Sequence, residues 1–311
     1  MISYLISFFW GICLLLSLTG WGKALNHILF PNQRVDWGQR AAWGLALSLI
    51  IGGVLNATWN ISPTTIFSFL GFGLIYCLVD LVNHRQSIAT NLSQLFQETR
   101  QDNIILAGIA IVSFLILIQY GGWVYTGRLN FASMVYADGF NTSDDYHAYL
   151  VFPHKMLQLG SMGLDPFSER RIVSLGGQSF LHTFIVSVLS DTNLNLIDPG
   201  LALIITIGLI IGFFKENPAS TRRVIFTILL VLLIAVPKAN TTSIMLPIAL
   251  FLSLFRTLES KEIDRNSSVS TACFIAFISA AIGTLKSSLI LASVIVFAVS
   301  YFAILLVKIQ N

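Results

Sequence analysis

Charge is what this sequence has least of. Only 11% of its 311 residues are Asp, Glu, Lys or Arg, where an ordinary soluble domain carries about a quarter, so a water-facing surface of normal size cannot be built from them. Cysteine is scarce as well. Cys13, Cys77 and Cys273 each fall in an apolar stretch, and none stands at a metal or redox spacing, which excludes a Cys-based metal or redox motif and leaves them as small packing groups. A basic stripe is also missing: the net charge of +3 is scattered through the connections, so no nucleic-acid partner is expected.

Apolar residues are what the chain has in excess, at 55% with a mean hydropathy of +0.78. Crossing roughly 30 Å of hydrocarbon takes about 20 mostly apolar residues in a helix that satisfies its own backbone hydrogen bonds. Stretches 3–21, 41–57, 64–82, 103–122, 199–214, 224–256, 268–284 and 288–307 meet that need. The stretch 224–256 is too long for one span and is interrupted by Pro237, Lys238, Ala239 and Asn240, so it reads as a hairpin of two. No basic residue precedes the first stretch and no small-residue cleavage site follows it, so it reads as a span and not a signal peptide. The expected fold is an all-α, polytopic integral membrane protein of about 9–10 transmembrane helices. Within this single membrane domain, residues 1–122 form four spans, 123–173 a long loop and 174–311 the C-terminal spans. Asp198 before Pro199, and Ser62 before Pro63, each pair an N-cap side chain with a first-turn proline, so spans are expected to begin there.

Lys and Arg favour cytoplasmic connections. Lys23, Arg34 and Arg40, then Arg85 and Arg100, mark connections 22–40 and 83–102 as cytoplasmic. The uncharged link Asn56–Pro63 and the loop 123–173 are then extracytoplasmic. Lys215, Arg222 and Arg223, and again Arg256, Lys261 and Arg265, also ask for the cytoplasm. An odd number of crossings must therefore separate Val173 from Lys215, yet two apolar segments, 174–190 and 199–214, lie between them. Either the first dips in without crossing, or a later basic connection is external.

The long loop concentrates the chemistry. Loops of such length are uncommon in compact proteins unless they bind or catalyse. Its densest part runs Asp144, Asp145, Tyr146, His147, Ala148, Tyr149. Adjacent carboxylates repel when ionised and so favour a shared proton, a bound cation or a cationic substrate. On a helix, Asp144 shares a face with His147 and Asp145 with Tyr149, which fits a metal pair or a base with its orienting partner. Thr142 with Asp145 equally fits a capping box at a helix start. Farther on, Asp165 and Pro166 read as another helix start, and Arg170 and Arg171 would meet either lipid phosphates or a substrate phosphate. Tyr149, Leu150, Phe152, Met156, Leu157 and Leu159 approach helical spacing and predict an amphipathic juxtamembrane helix lying on the bilayer. Gly176 and Gly177 permit close backbone approach where the chain re-enters the membrane. Gln178 and His182, four apart, either line a cavity or satisfy each other's neighbours across helices.

The run Asp144-Asp145-Tyr146-His147-Ala148-Tyr149, then Asp165-Pro166-Phe167-Ser168-Glu169-Arg170-Arg171 and Leu175-Gly176-Gly177-Gln178-Ser179-Phe180, set after a span and before a glycine-containing re-entry, resembles the GT-C superfamily of membrane glycosyltransferases. It also looks like uncharacterised bacterial membrane proteins of that layout. The resemblance, over about residues 103–215, implies inverting sugar transfer of the hexosyltransferase type, from a polyprenyl-phosphate carrier to an envelope glycan or lipid acceptor, at the outer face of the inner (plasma) membrane. Asp144 or Asp145 would act as general base or hold a divalent cation, Mg or Mn. Arg170, Arg171 and Lys286 would neutralise the leaving phosphate. Tyr146, His147 and Tyr149 would pack against or orient the sugar, with Gln178 and His182 as further substrate-binding groups. Members of the superfamily usually run longer, so the resemblance implies a shortened or incomplete one. Glu259, Glu262 and Asp264 lie in a connection predicted to be cytoplasmic and supply no second acidic site. Two other readings remain open: a transporter or flippase for a lipid-linked or anionic substrate, although no internal repeat of interrupted helices is legible, and a non-catalytic membrane assembly subunit.

Overall fold

The computed structural model describes residues 2–31, 33, 35–83, 150–163, 175–216, 221–234, 243–259, 268–296 and 298, and all regular structure in them is helical. The expected span 103–122 and most of the loop 123–173 lie outside the described residues.

Three long helices come first: α1 (Ile2–Leu29), α2 (Trp37–Ala57) and α3 (Pro63–Asn83). Pro31 stops α1, since a proline disfavours helical geometry in the residue before it. Asp36 opens α2 by accepting the Gln39 N–H at 3.1 Å. Ser62 opens α3 as expected: its hydroxyl accepts the Thr65 N–H at 3.2 Å while Thr65 Oγ1 accepts the Ser62 N–H at 3.0 Å, a reciprocal box ahead of a first-turn proline.

Small residues let these helices close on one another. A Cβ on Gly20 of α1 would run into the Gly73 carbonyl of α3, and one on Gly44 of α2 into the Leu18 carbonyl of α1. Where lipid is as apolar as a side chain, such close packing is what drives association. Polar side chains reinforce it: Ser17 Oγ donates to the Leu70 carbonyl at 2.8 Å and Trp21 Nε1 to that of Phe69 at 2.9 Å. At one end of the trio, Asp80 of α3 lies 3.6 Å from Lys23 of α1 and 3.9 Å from Arg40 of α2, so α2 runs antiparallel to both α1 and α3.

The later chain supplies α4 (Val151–Leu159) and α5 (Gly177–Val186), then a 3-10 turn, Asp191–Leu196, and a π-helical turn, Ile197–Ala202, that lead into α6 (Leu203–Glu216). After these come α7 (Thr221–Ile234), α8 (Met245–Glu259), α9 (Ser268–Leu285) and α10 (Ser287–Val296). The long apolar stretch 224–256 is thus two helices. Among the described residues four stretches are long and apolar enough to cross a membrane: Leu5–Leu29, Trp37–Ala57, Pro63–Asn83 and Asn193–Phe214; Met245–Leu258, Ala272–Leu285 and Ser287–Val296 are apolar but shorter. Asn193–Phe214 is 83% buried and α3 only 28%, which makes the former the axis of the bundle and the latter its rim. Along that rim Phe72, Ile75, Val79 and Val82 face outward, a surface suited to hydrocarbon and not to water.

α2 joins the two halves, packing on α5, α6, α8 and α9. Its Trp43 meets Phe274 of α9 at 4.3 Å between ring centroids. At the Lys23 end, Arg256 of α8 reaches Asp36 at 2.7 Å and donates to the Leu209 carbonyl of α6 at 3.3 Å. Gln39 Nε2 donates to the Ser253 carbonyl and to Thr257 Oγ1, both at 3.0 Å.

Asp198 corrects the expectation drawn from Asp-Pro. It lies within the π-helical turn instead of starting a span, and its carboxylate accepts N–H groups from the start of α8: Ile244 at 2.9 Å, Met245 at 3.1 Å and Leu246 at 2.8 Å. Both oxygens accept in these contacts. The first-turn amides of a buried helix would otherwise be orphans.

Residues 175–190 turn back on α4. α5 has ten residues, about 15 Å of helix and half of a hydrocarbon core. Before it, Gly176 adopts φ 85°, and a Cβ there would stand 3.1 Å from both Met156 of α4 and Met162 just beyond it. After it, Asp191 meets His154 of α4 at 2.7 Å. Both ends of α5 therefore reach one nine-residue helix.

Candidate functional site at the α4 end of the bundle

The short link between α2 and α3 anchors α4. Asn56 Oδ1 accepts the Met162 N–H at 2.7 Å and the Ser161 hydroxyl at 3.2 Å. Ile61 N–H donates to the Gly160 carbonyl at 2.9 Å. Gly160 takes φ 80° at the end of α4, and a Cβ there would strike the Trp59 carbonyl, so the C-terminal turn of α4 and the link are pressed backbone to backbone. Asn56 lies at the end of α2 opposite Asp36 and Arg40, which puts α4 at the bundle end away from the Lys23, Asp80 and Arg256 ionic contacts.

Three described groups give this end its chemistry. His154 Nε2 meets Asp191 Oδ1 at 2.7 Å, each side chain a little under half exposed. A carboxylate can only accept, so the imidazole donates from Nε2, and its neutral form keeps Nδ1 as a proton acceptor. Trp59 is 56% exposed and has φ 58°, a left-handed conformation that is costly for a bulky residue. Lys155 completes the group: over the Cα of Gly163, at the point a Cβ would occupy, its Cε comes to 3.4 Å, its Nζ to 3.6 Å and the Trp59 ring to 3.8 Å.

Of the residues expected from sequence, Asp144, Asp145, Tyr146, His147, Tyr149, Arg170 and Arg171 lie outside the described residues. Gln178 and His182 are on α5 and both buried, 7% and 1% exposed. His182 Nδ1 has no hydrogen-bond partner among the described residues. Lys286 is exposed just past the end of α9. Thr284, two residues before it, packs against Gly177, so Lys286 sits near the start of α5. Among the described residues no three His, Cys, Asp or Glu side chains are close enough to share a metal.

Sequence reasoning missed the His154 and Asp191 pair, which are 37 residues apart, and it missed Trp59, whose only local signal is a turn-forming Thr-Trp-Asn link. Comparison with protein-family models, with curated proteins and with solved structures found no match to this chain.

Proposed function

We propose that this chain is a multi-pass protein of the inner (plasma) membrane with a GT-C-like transferase site on its extracytoplasmic face, moving a sugar from a polyprenyl-phosphate carrier to an envelope glycan or lipid acceptor. The fold-back of α5 is the observation that supports it. If α5 returns to its own side, Asn193–Phe214 is the one crossing between Val173 and Lys215. All four basic connections then share a side, in keeping with the preference of Lys and Arg for the cytoplasm. The loop bearing Asp144 and Asp145 joins α4 at Leu150, on the opposite face. There a lipid-linked donor would present its phosphate at the membrane surface.

In this reading the acceptor hydroxyl gives its proton to Asp144 or Asp145, and its oxygen attacks the anomeric carbon from the side opposite the phosphate. The bond from that carbon to the phosphate oxygen breaks, and the carrier phosphate leaves with the electron pair. Arg170, Arg171 and Lys286 neutralise the departing charge. A divalent cation, Mg or Mn, held by the acid pair would add to that neutralisation. Tyr146, His147 and Tyr149 orient the sugar, and Gln178 and His182 lie deeper, on α5.

A transporter or flippase for a lipid-linked or anionic substrate is the second reading, favoured by α5 itself, since transporters build midplane sites from half-helices. One experiment separates them. Purified protein in proteoliposomes, supplied with a lipid-linked sugar and an acceptor, should form the glycosidic product, and Asp144→Asn with Asp145→Asn should abolish it. Movement of intact donor across the bilayer without product favours the flippase. Unchanged product from the stably inserted double variant would overturn the transferase assignment.

A further inference from the structure

We propose that Trp59 and Lys155, meeting over Gly163, form a binding site for the phosphate headgroup of a membrane lipid, with the ammonium pairing the phosphate and the indole covering the ester beside it. The inference needs only the membrane setting and not sugar transfer, so the two stand or fall separately.

The first support is the backbone of Trp59. A bulky side chain at φ 58° is retained only where its surroundings over-determine it, and such residues gather at functional positions. Here the surroundings are explicit: Asn60 N–H donates to the Leu55 carbonyl at 2.9 Å and Asn60 Nδ2 to that of Thr58 at 2.9 Å, while Asn56 and Ile61 hold the link to the end of α4. An indole serving only as an interfacial anchor could sit on unstrained backbone. This one is turned outward at one fixed place, more than half exposed.

The second support is what it is turned toward. Lys155 has no ion-pair partner among the described residues, unlike Lys23, Arg40 and Arg256, each of which has a carboxylate. Its Nζ and the indole converge on one point above Gly163, at 3.6 and 3.8 Å. Gly163, at φ 68°, carries no side chain to fill that point. An ammonium with no carboxylate partner among the described residues, beside an exposed indole, suits an anion joined to a less polar group, which is the make-up of a phosphate ester. The depth also fits. The site lies where α2 ends and α3 begins, the level at which membrane-length helices meet the headgroups.

The test is native mass spectrometry of the full chain released from detergent micelles, with phosphatidylglycerol, a polyprenyl phosphate, phosphatidylcholine and inorganic phosphate as probes. The two anionic lipids should bind roughly tenfold more tightly than phosphatidylcholine, since the choline lipid brings its own cation to the phosphate. Lys155→Gln should remove that preference and Lys155→Arg should restore it. Trp59→Gly should weaken anionic-lipid binding several-fold while leaving Tm unchanged or higher, because glycine accepts the left-handed backbone without strain. Equal lipid retention in wild type, Lys155→Gln and Trp59→Gly would overturn the proposal. So would inorganic phosphate binding as tightly as the lipids, which would make the ligand a free anion.

Discussion

Removing the Asp198 carboxylate tests how the two ends of a buried helix contact are held. Asp198→Ala strips the acceptor from three backbone N–H groups, those of Ile244, Met245 and Leu246. A hydrogen bond to a charged group contributes about 1.5–3 kcal/mol in a water-soluble protein. In bilayers the unfolded reference finds other partners, and measured interhelical bonds average about 0.6 kcal/mol. Three bonds therefore bracket the loss between about 2 and about 9 kcal/mol, with the bilayer figure setting the lower end. Asp198→Asn keeps one acceptor oxygen but turns an NH2 group toward amide donors, so it should lie at about half that loss. Reversible unfolding in mixed micelles with increasing dodecyl sulfate, followed by tryptophan fluorescence, reads the total. Hydrogen exchange locates it: amides 244–246 should exchange roughly thirtyfold faster for a local loss of about 2 kcal/mol, with those of the π-helical turn little changed. If exchange rises in the turn and not at 244–246, or if Asp198→Ala costs under about 0.5 kcal/mol, then Asp198 is an ordinary local cap and the cross-helix assignment is wrong.

Two further outcomes follow from packing and topology. Gly20→Val or Gly73→Val should destabilise the protein by at least about 2 kcal/mol, because each side chain would meet a facing backbone. Gly53→Ala and Gly71→Ala, which have nothing within 4 Å, should instead be neutral or stabilising by about 0.5–1 kcal/mol, and melting curves of the four variants check the contrast. In a background without Cys13, Cys77 and Cys273, single cysteines at Leu175 and Ser190 should both react with a membrane-impermeant maleimide on intact cells, as should one at Thr58, while one at Val35 should react only after permeabilisation. Labelling of 175 and 190 from opposite sides would show that α5 crosses.

Much of the scaffold was legible because apolar length is a local property. The first three spans, the break inside 224–256 and the Ser62–Pro63 helix start can all be read from neighbours in the sequence. What escaped was decided at a distance. Asp-Pro at 198 looks like a helix start whether its carboxylate caps its own turn or, as here, a helix beginning 47 residues later. The run 174–190 has the composition of a span, and only the contacts of its flanks with Met156, Met162 and His154 show that it folds back. Of the candidate site, Gln178 and His182 were found by their four-residue spacing and are both buried. The acid pair and the arginines fall outside the described residues. Trp59 and Lys155 come together only because Asn56 ties the link to the end of α4, a contact between positions 106 residues apart.

The contact between Gln39 and Ser253 spans 214 residues, and the ion pair of Asp36 with Arg256 spans slightly more. At about 5–20 residues per second of synthesis, these α2 side chains stay without those partners for some ten to forty seconds after they leave the ribosome. During that interval α1 to α3 can already be closed through their glycines, while Asp36, Gln39 and the adjoining face of α2 are left to water, lipid or the insertion machinery. Arrival of α8 is then the step that closes the bundle, and errors made after position 253 should leave a trimmed intermediate in which the first three helices are intact and the Asp36 end is open to proteolysis.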